Sequence, residues 1–583
     1  MDKNKIDYLL LGRVLALAKP YRKVFALAGI LTVVLAPLAI MRPAIIKFMV
    51  DDYIFAYDIP GLTKWALILV GILLLDVALR YLFIYTTSLL GQSVIKDLRV
   101  RVFKHISSLK LSYFDTTPIG TSTTRTINDI ETINTVFSQG AITIIADLIT
   151  VFAVLGIMFW TSWELTLVCL TTLPFLMIAT YIFKEKVKAS YQRVRKEITR
   201  MNAYLQERIT GMRIVQIFNA EKREMEKFKE INRKYTQANL DAILYYAVFF
   251  PVVEIISAAA LGLLVWWGAR GVIGGGVTTG TFIVFPIYLN MLFRPIRMLA
   301  DRFNTLQMGL VAAERVFTLL DRTDKIEDEG SVKAENLKGE VIFENVGFAY
   351  NGVDYVLKDL NFKINAGETL AICGSTGSGK TTIINILNRF YEIQKGQIRI
   401  DGKDIRDYEL MSLRKRIAIV LQDVFLFSGS VMENITLRDD SISAEEVIEA
   451  AKLIGAHEFI EKLPGGYDYE VMERGATLSM GQRQLISFVR ALVFNPDILV
   501  LDEATSSIDP ETESVIQYAI EKLIDKRTSI IIAHRLTTIR HADNIMVLDK
   551  GKIMELGPHE SLLEIEDGHY RELYEMQFMQ MSE

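Results

Sequence analysis

The chain has 583 residues, 51% hydrophobic and 23% charged, with 65 basic against 69 acidic side chains and a net charge of −4. A mean hydropathy of +0.26 suits a chain partly in lipid and partly in water, and the near-balance of charge offers no whole-molecule field for holding nucleic acid. Two cysteines, Cys169 and Cys373, in no metal-type spacing, argue against a disulfide framework.

In chain order, residues 6–19, IDYLLLGRVLALAK, read as an amphipathic helix lying at a membrane interface. A basic, helix-like start before a long apolar run is not a cleavable signal peptide. Six apolar stretches follow, at about 23–49, 65–90, 141–160, 164–183, 245–268 and 281–299; each approaches the roughly 20 residues that cross about 30 Å of hydrocarbon. Lys and Arg crowd the stretch before the first span and the second-to-third and fourth-to-fifth connections, whereas TSWE and GARGVIGGGVTTG nearly lack them. The positive-inside rule therefore predicts both chain ends in the cytoplasm.

The two long basic connections read as helices continuing the spans outward, broken at Pro118/Gly120 and at Gly211, because structureless loops of that length are uncommon in compact proteins. Their tips, at about 117–125 and 205–212, are expected far from the membrane. Asp76, Asp147 and Glu254 fall inside spans, where a carboxylate costs roughly 2.5–3.5 kcal/mol. Such acids either line a polar pathway or pair within the bundle, as Asp76 could with Arg80 one turn on.

At residue 321 the pattern changes. Residues 321–339 are charged and non-periodic, as a linker is. Strand-like runs then alternate with helical ones, so an α/β domain is expected over 340–583, following an all-α membrane domain over 1–320. TLAICGSTGSGKTTIINILNRF places G-x4-G-K-T between an apolar strand and a helix, the context that a phosphate-binding P-loop demands. Gly374, Ser375, Thr376, Gly377, Ser378 and Gly379 would wrap the phosphates, Lys380 neutralise them, and the Thr381 hydroxyl, with Thr382 beside it, ligate Mg²⁺. DILVLDEATSSIDPETE, residues 497–513, supplies a buried strand ending in two carboxylates. Asp502 is suited to hold Mg²⁺ and Glu503 to polarise an attacking water.

With these elements the chain resembles the ATP-binding cassette (ABC) transporters over nearly its whole length. LSMGQ, residues 478–482, looks like that family's signature motif, with Met480 where a glycine is usual. By the same resemblance Tyr350 stacks on adenine, Gln422 joins the Mg²⁺ site, Asp509 is the D-loop aspartate and His534 contacts the γ-phosphate. YFDTTPIGTSTTRTINDI and LQERITGMRIVQIFNAEKRE are similar to the family's intracellular loops, so 117–125 and 205–212 would be coupling helices.

Six spans and one cassette are the layout of half-transporters among bacterial multidrug and lipid exporters. The resemblance thus implies ATP and Mg²⁺ as cofactors, Glu503, His534 and Gln422 as the catalytic set, and a multi-pass protein of the inner (plasma) membrane. It further implies that Ser479, Gly481 and Gln482 face the nucleotide of a second half-transporter. A homodimer is favoured and a heterodimer remains open. The expected cargo is an amphipathic small molecule, lipid or peptide leaving the cytoplasm or inner leaflet by alternating access among membrane lipids. Nucleic acid is not an expected partner. The competing function is an ATP-gated channel or a regulatory membrane ATPase.

Overall fold

The computed structural model describes residues 7–326, 328–502, 510–532 and 539–582. The chain forms two compact units: Met1–Ser107 with Thr117–Arg322, and Ser108–Thr116 with Thr323–Glu583.

The first unit is built from helices. These are α1 (Tyr8–Ala16), α2 (Arg22–Phe48), α3 (Ile59–Ile106) and, past α4 (Leu111–Thr116) of the other unit, α5 (Ile119–Thr124) and α6 (Ile130–Thr135). Then come α7 (Ala141–Thr161), α8 (Trp163–Leu170), α9 (Leu173–Thr210), α10 (Met212–Ile217), α11 (Glu221–Ile273) and α12 (Thr279–Leu320). Six stretches are long and apolar enough to span a membrane: Lys19–Ile54, Ile59–Ile106, Ile119–Thr161, Trp163–Thr210, Glu221–Ile273 and Thr279–Leu320. Each contains one of the apolar runs read from the sequence, and the helices continue well past the hydrocarbon length. α5 begins at Pro118, which has no N–H to offer a preceding turn, and α9 stops at Gly211.

Inside the spans, hydroxyls bond the carbonyl four residues back, as in Thr32 to Ala28, Thr87 to Phe83 and Thr150 to Ala146. This satisfies groups that lipid cannot. A core from α7, α8, α11 and α12 includes Val154, Cys169, Leu264, Phe285 and Tyr288. Beyond it α9 and α11 run together, with Phe183 stacked on Phe249 at 3.8 Å. Glu224 accepts from the Tyr204 hydroxyl at 2.7 Å and Arg208 Nε at 2.6 Å, and these bonds hold its carboxyl below the usual range.

Two clasps tie distant parts of the unit. Asp51, just past α2, accepts from Thr278 Oγ1 at 2.7 Å and from the Gly280 amide at 2.6 Å at the start of α12. At the other end of α12, Arg13 of α1 pairs with Asp321 at 2.8 Å and lies 4.3 Å from the Phe317 ring centre. Asp76 pairs with Arg80 at 3.0 Å, and also across the helix pair with Arg42 at 3.5 Å. Asp147 lies 3.7 Å from Arg302.

The second unit carries strands β1 (Val341–Phe348), β2 (Leu357–Ile364), β3 (Thr369–Cys373), β4 (Lys395–Ile400), β5 (Lys403–Asp404) and β6 (Ile417–Val420). They are followed by β7 (Gly429–Ser430), β8 (Glu470–Val471), β9 (Ile498–Asp502), β10 (Thr528–Ile532), β11 (Asn544–Asp549) and β12 (Lys552–Gly557). The main sheet has the order β12-β11-β3-β10-β9-β6, parallel except for β12 at its edge. An antiparallel sheet, β2-β1-β4-β5, adjoins it.

Its helices are α13 (Lys380–Leu387), α14 (Leu410–Arg416), α15 (Val431–Thr436), α16 (Ala444–Leu453), α17 (His457–Glu461), α18 (Met480–Val493) and α19 (Pro510–Ile524). Alternation along the buried strands assigns the two faces. Leu370 and Ile372 of β3 join a core with β1 and α13, while Ala371 and Cys373 join one with α15, α16, α18 and α19.

Candidate nucleotide site

β3, β10, β9 and β6 are neighbours and parallel, so their carboxyl ends form one edge. Ile372, Ile532 and Asp502 lie in a single row across β3, β10 and β9, and Leu501 of β9 pairs with Val420 of β6. With neighbouring strands about 4.8 Å apart, β3 and β9 end about 10 Å from each other. The phosphate loop leaves β3, Asp502 closes β9, and Gln422 lies two residues past β6, exposed. Ligands of open parallel sheets bind along such an edge. Glu503 follows β9 directly and His534 follows β10 within two residues; both, and Asp509, lie outside the described residues.

The loop owes its shape to glycine. Gly374, Gly377 and Gly379 have φ of 145°, 80° and 110°, in the region that side chains avoid. A Cβ on Gly374 would collide with the Leu548 carbonyl, whereas one on Gly377 would meet nothing within 4 Å. Gly377 thus borders open space. The loop is braced from behind by the Gly551 amide on the Ser378 carbonyl at 3.0 Å and by the Ser375 hydroxyl on Asp549 at 3.3 Å.

Lys380 is only 8% exposed, and its Nζ donates to the Gly374 and Ser375 carbonyls at 2.8 and 3.0 Å. α13 begins on left-handed Gly379 with no side-chain cap, so its first amides lack intrahelical partners. Ser378 Oγ is buried with no hydrogen-bond partner. A concave loop lined by amides, a buried ammonium and hydroxyls is a donor set, and a polyphosphate is the acceptor that fits it. Thr381, Gln422 and Asp502 offer hard oxygen ligands. Among the described residues no cluster of three or more His, Cys, Asp or Glu exists, which matches an ion such as Mg²⁺ that takes few protein ligands plus phosphate oxygens.

Tyr350 is half exposed. Its ring stands edge-to-face with Phe348 (4.8 Å, 84°) and Tyr391 (5.0 Å, 89°), and its hydroxyl lies 3.1 Å from Thr382 Oγ1. An aromatic surface therefore abuts the first turn of α13. Cys373 at the end of β3 is buried, which pushes its thiol up to about 12 and keeps it protonated.

The signature corner is built differently. Ser479 caps α18: its hydroxyl accepts from the Gln482 amide at 3.2 Å, while the Gln482 side chain accepts from the Ser479 amide at 2.9 Å. Gly481 is buried and Met480 is 39% exposed. This reciprocal cap follows from the Ser-x-x-Gln spacing.

One feature went unread in the sequence. Residues 108–116, just before the 117–125 stretch, belong to the cassette unit. The Lys110 amide donates to the Asp324 carbonyl at 2.9 Å, and the Tyr391 hydroxyl donates to Asp115. These are pairings between positions far apart in the chain, and no local pattern announces them.

The family model for the ABC transporter transmembrane region matches residues 25–296, and that for the ABC transporter cassette matches residues 357–506. The chain is 40% identical over 579 residues to the ABC transporter ATP-binding protein YknV of Bacillus subtilis, covering 99% of this chain and 96% of that one. It is 37% identical to the ATP-dependent lipid A-core flippase of Syntrophus aciditrophicus, over 97% and 94% of the two chains. A B. subtilis protein named for multidrug export as an ATP-binding/permease protein, YgaD, is 34% identical over 97% of this chain and 99% of its own. A helical unit with six candidate spans, a cassette with a formed phosphate loop, and full-length likeness to such proteins lead to one assignment: this chain is a member of the ABC transporter family, a multi-pass membrane protein with an ATP-binding, ATP-hydrolysing cassette.

Proposed function

We propose that the chain is one half of an exporter that uses ATP to move an amphipathic lipid or drug out of the cytoplasm or inner leaflet. The relatives named as lipid A-core flippase and for multidrug export support that cargo class. The inner membrane is its location, with both chain ends cytoplasmic, as the charge of the connections argues.

The loop amides of 374–382 and the Lys380 ammonium grip the β- and γ-phosphates of ATP, and Tyr350 offers its ring to the base. Thr381, Gln422 and Asp502 hold Mg²⁺, which supplies charge neutralisation at the phosphates. Glu503 takes a proton from the attacking water. His534 donates to the γ-phosphate and Asp509 lines the seam.

Ser479, the Gly481 amide and Gln482 complete the site on a second copy of the chain, so two cassettes meet head to tail. Their closure is transmitted through the helical extensions near 117–125 and 205–212. Closing favours the outward-facing state to the extent that the closed seam binds ATP more tightly than the open one. The observation that carries this reading is the shared edge of β3, β10, β9 and β6, where the loop, Asp502 and Gln422 meet.

Two measurements test it. Glu503→Gln should bind ATP normally and lose about 10²–10⁴-fold in turnover; wild-type hydrolysis in this variant removes Glu503 from the role. Mixed dimers with Ser479→Arg in one chain and Lys380→Ala in the other put both lesions in one seam and leave the second intact. Such dimers should retain activity at that seam, whereas loss equal to that of either homodimer would contradict trans completion.

A further inference from the structure

Inside the spans the charges of one chain do not balance locally. Asp76 is 2% exposed and pairs through the same Oδ2 with Arg80 at 3.0 Å and Arg42 at 3.5 Å, while its Oδ1 is buried without a partner. Two guanidiniums against one carboxylate leave one positive charge on α2 and α3. Both arginines are partly exposed, at 50% and 32% of their side chains, and neither has another acceptor among the described residues. On α11, Glu254 is exposed within a span and has no hydrogen bond or ion pair among the described residues. Each excess charge would cost several kcal/mol if left facing hydrocarbon.

The two charges lie at one depth. α3 starts at Ile59 and α11 ends at Ile273, and the connections there are on the same side of the bundle, since Asp51 reaches Thr278 and Gly280. At about 1.5 Å per residue, Asp76 and Arg80 lie about 25 and 32 Å from that end, and Glu254 about 28 Å. Within one chain, however, α3 packs chiefly on α2 and α6, and α11 on α9, α8 and α12.

We propose that the α2–α3 face of each chain receives α11 of a second copy, so that Glu254 of one neutralises the Arg42–Asp76–Arg80 cluster of the other. The proposal rests on the homodimer reading above and adds a membrane contact to it. The surface is self-complementary: each copy offers one positive and one negative site, so a two-fold axis satisfies both twice. Such a buried network fixes which faces meet more than it adds affinity, because a lone charge there is heavily penalised.

The test is cross-linking in lipid nanodiscs, in a Cys169→Ala/Cys373→Ala background. Chains carrying Arg80→Cys and chains carrying Glu254→Cys, with different tags, are co-expressed and treated with a short bifunctional thiol reagent. A doubly tagged dimer band is expected. Leu67→Cys, about 14 Å nearer the membrane end than Asp76, should give none with Glu254→Cys. In parallel, Glu254→Arg should raise the dimer dissociation constant by about tenfold or more, and Glu254→Gln by less.

Three outcomes would overturn the inference. In the first, wild-type chains are dimeric but the Arg80/Glu254 pair gives no dimer band, which leaves the homodimer standing. In the second, the link forms only within a chain bearing both cysteines. In the third, Glu254→Arg leaves dimerisation unchanged while anionic lipid tightens it, which assigns the cluster to a lipid phosphate. A monomeric wild type would instead refute the homodimer reading itself.

Discussion

The cassette has two helix starts that resemblance directs at ATP, and they handle the same electrostatic situation in opposite ways. α13 begins on left-handed Gly379 with no side-chain cap, and Lys380 folds back onto the loop carbonyls. α18 begins on Ser479 in a closed reciprocal cap with Gln482. An uncapped start forgoes roughly 0.5–2 kcal/mol of helix stability and keeps its amides for an incoming acceptor. A capped start satisfies itself and still leaves the Ser479 hydroxyl proton to donate. The first is organised as a primary phosphate site; the second is stable alone and suited to a supplementary contact arriving from outside.

Substitutions can break or sharpen that contrast. Lys380→Ala should have the largest effect, a loss of about 10²–10³-fold in ATP affinity and hydrolysis, as expected when a preorganised cation on phosphate is removed; unchanged nucleotide binding by calorimetry would refute the loop as the primary site. Gly377→Ala comes next. Its Cβ has room, but a φ of 80° costs a side chain about 1–3 kcal/mol, so ATP affinity should fall roughly tenfold with little change in fold. Ser479→Ala should have the smallest effect on nucleotide affinity. It should cost about 1 kcal/mol of cassette stability, a drop in Tm of about 2–4 °C, with binding at Lys380 intact. Were Ser479→Ala to abolish binding while Lys380→Ala did not, the two corners would exchange roles.

Much of this site was legible because its signals are local. The phosphate loop is nine consecutive residues between a strand and a helix, and each span announces itself by its own composition. The Ser-x-x-Gln cap was equally local, yet 478–482 drew notice for its family likeness and the cap went unread. What the sequence withheld are pairings over long separations. Arg80 lies one turn from Asp76, and that pairing was foreseeable; Arg42 reaches Asp76 from another helix, a contact that depends on how α2 and α3 pack. The contact of Asp115 with Tyr391 is of the same kind. Glu503, Asp509 and His534 rest on motif spacing, since they fall outside the described residues.

α12 is 42 residues long, about 63 Å at helical rise, and it is fastened at both ends, by Asp51 at its start and by Arg13 just past its finish. A rod pinned at its two tips can tilt with its neighbours but resists sliding along them. Force entering that rod is therefore delivered as leverage, the motion of an oar in its rowlock, in place of a piston stroke.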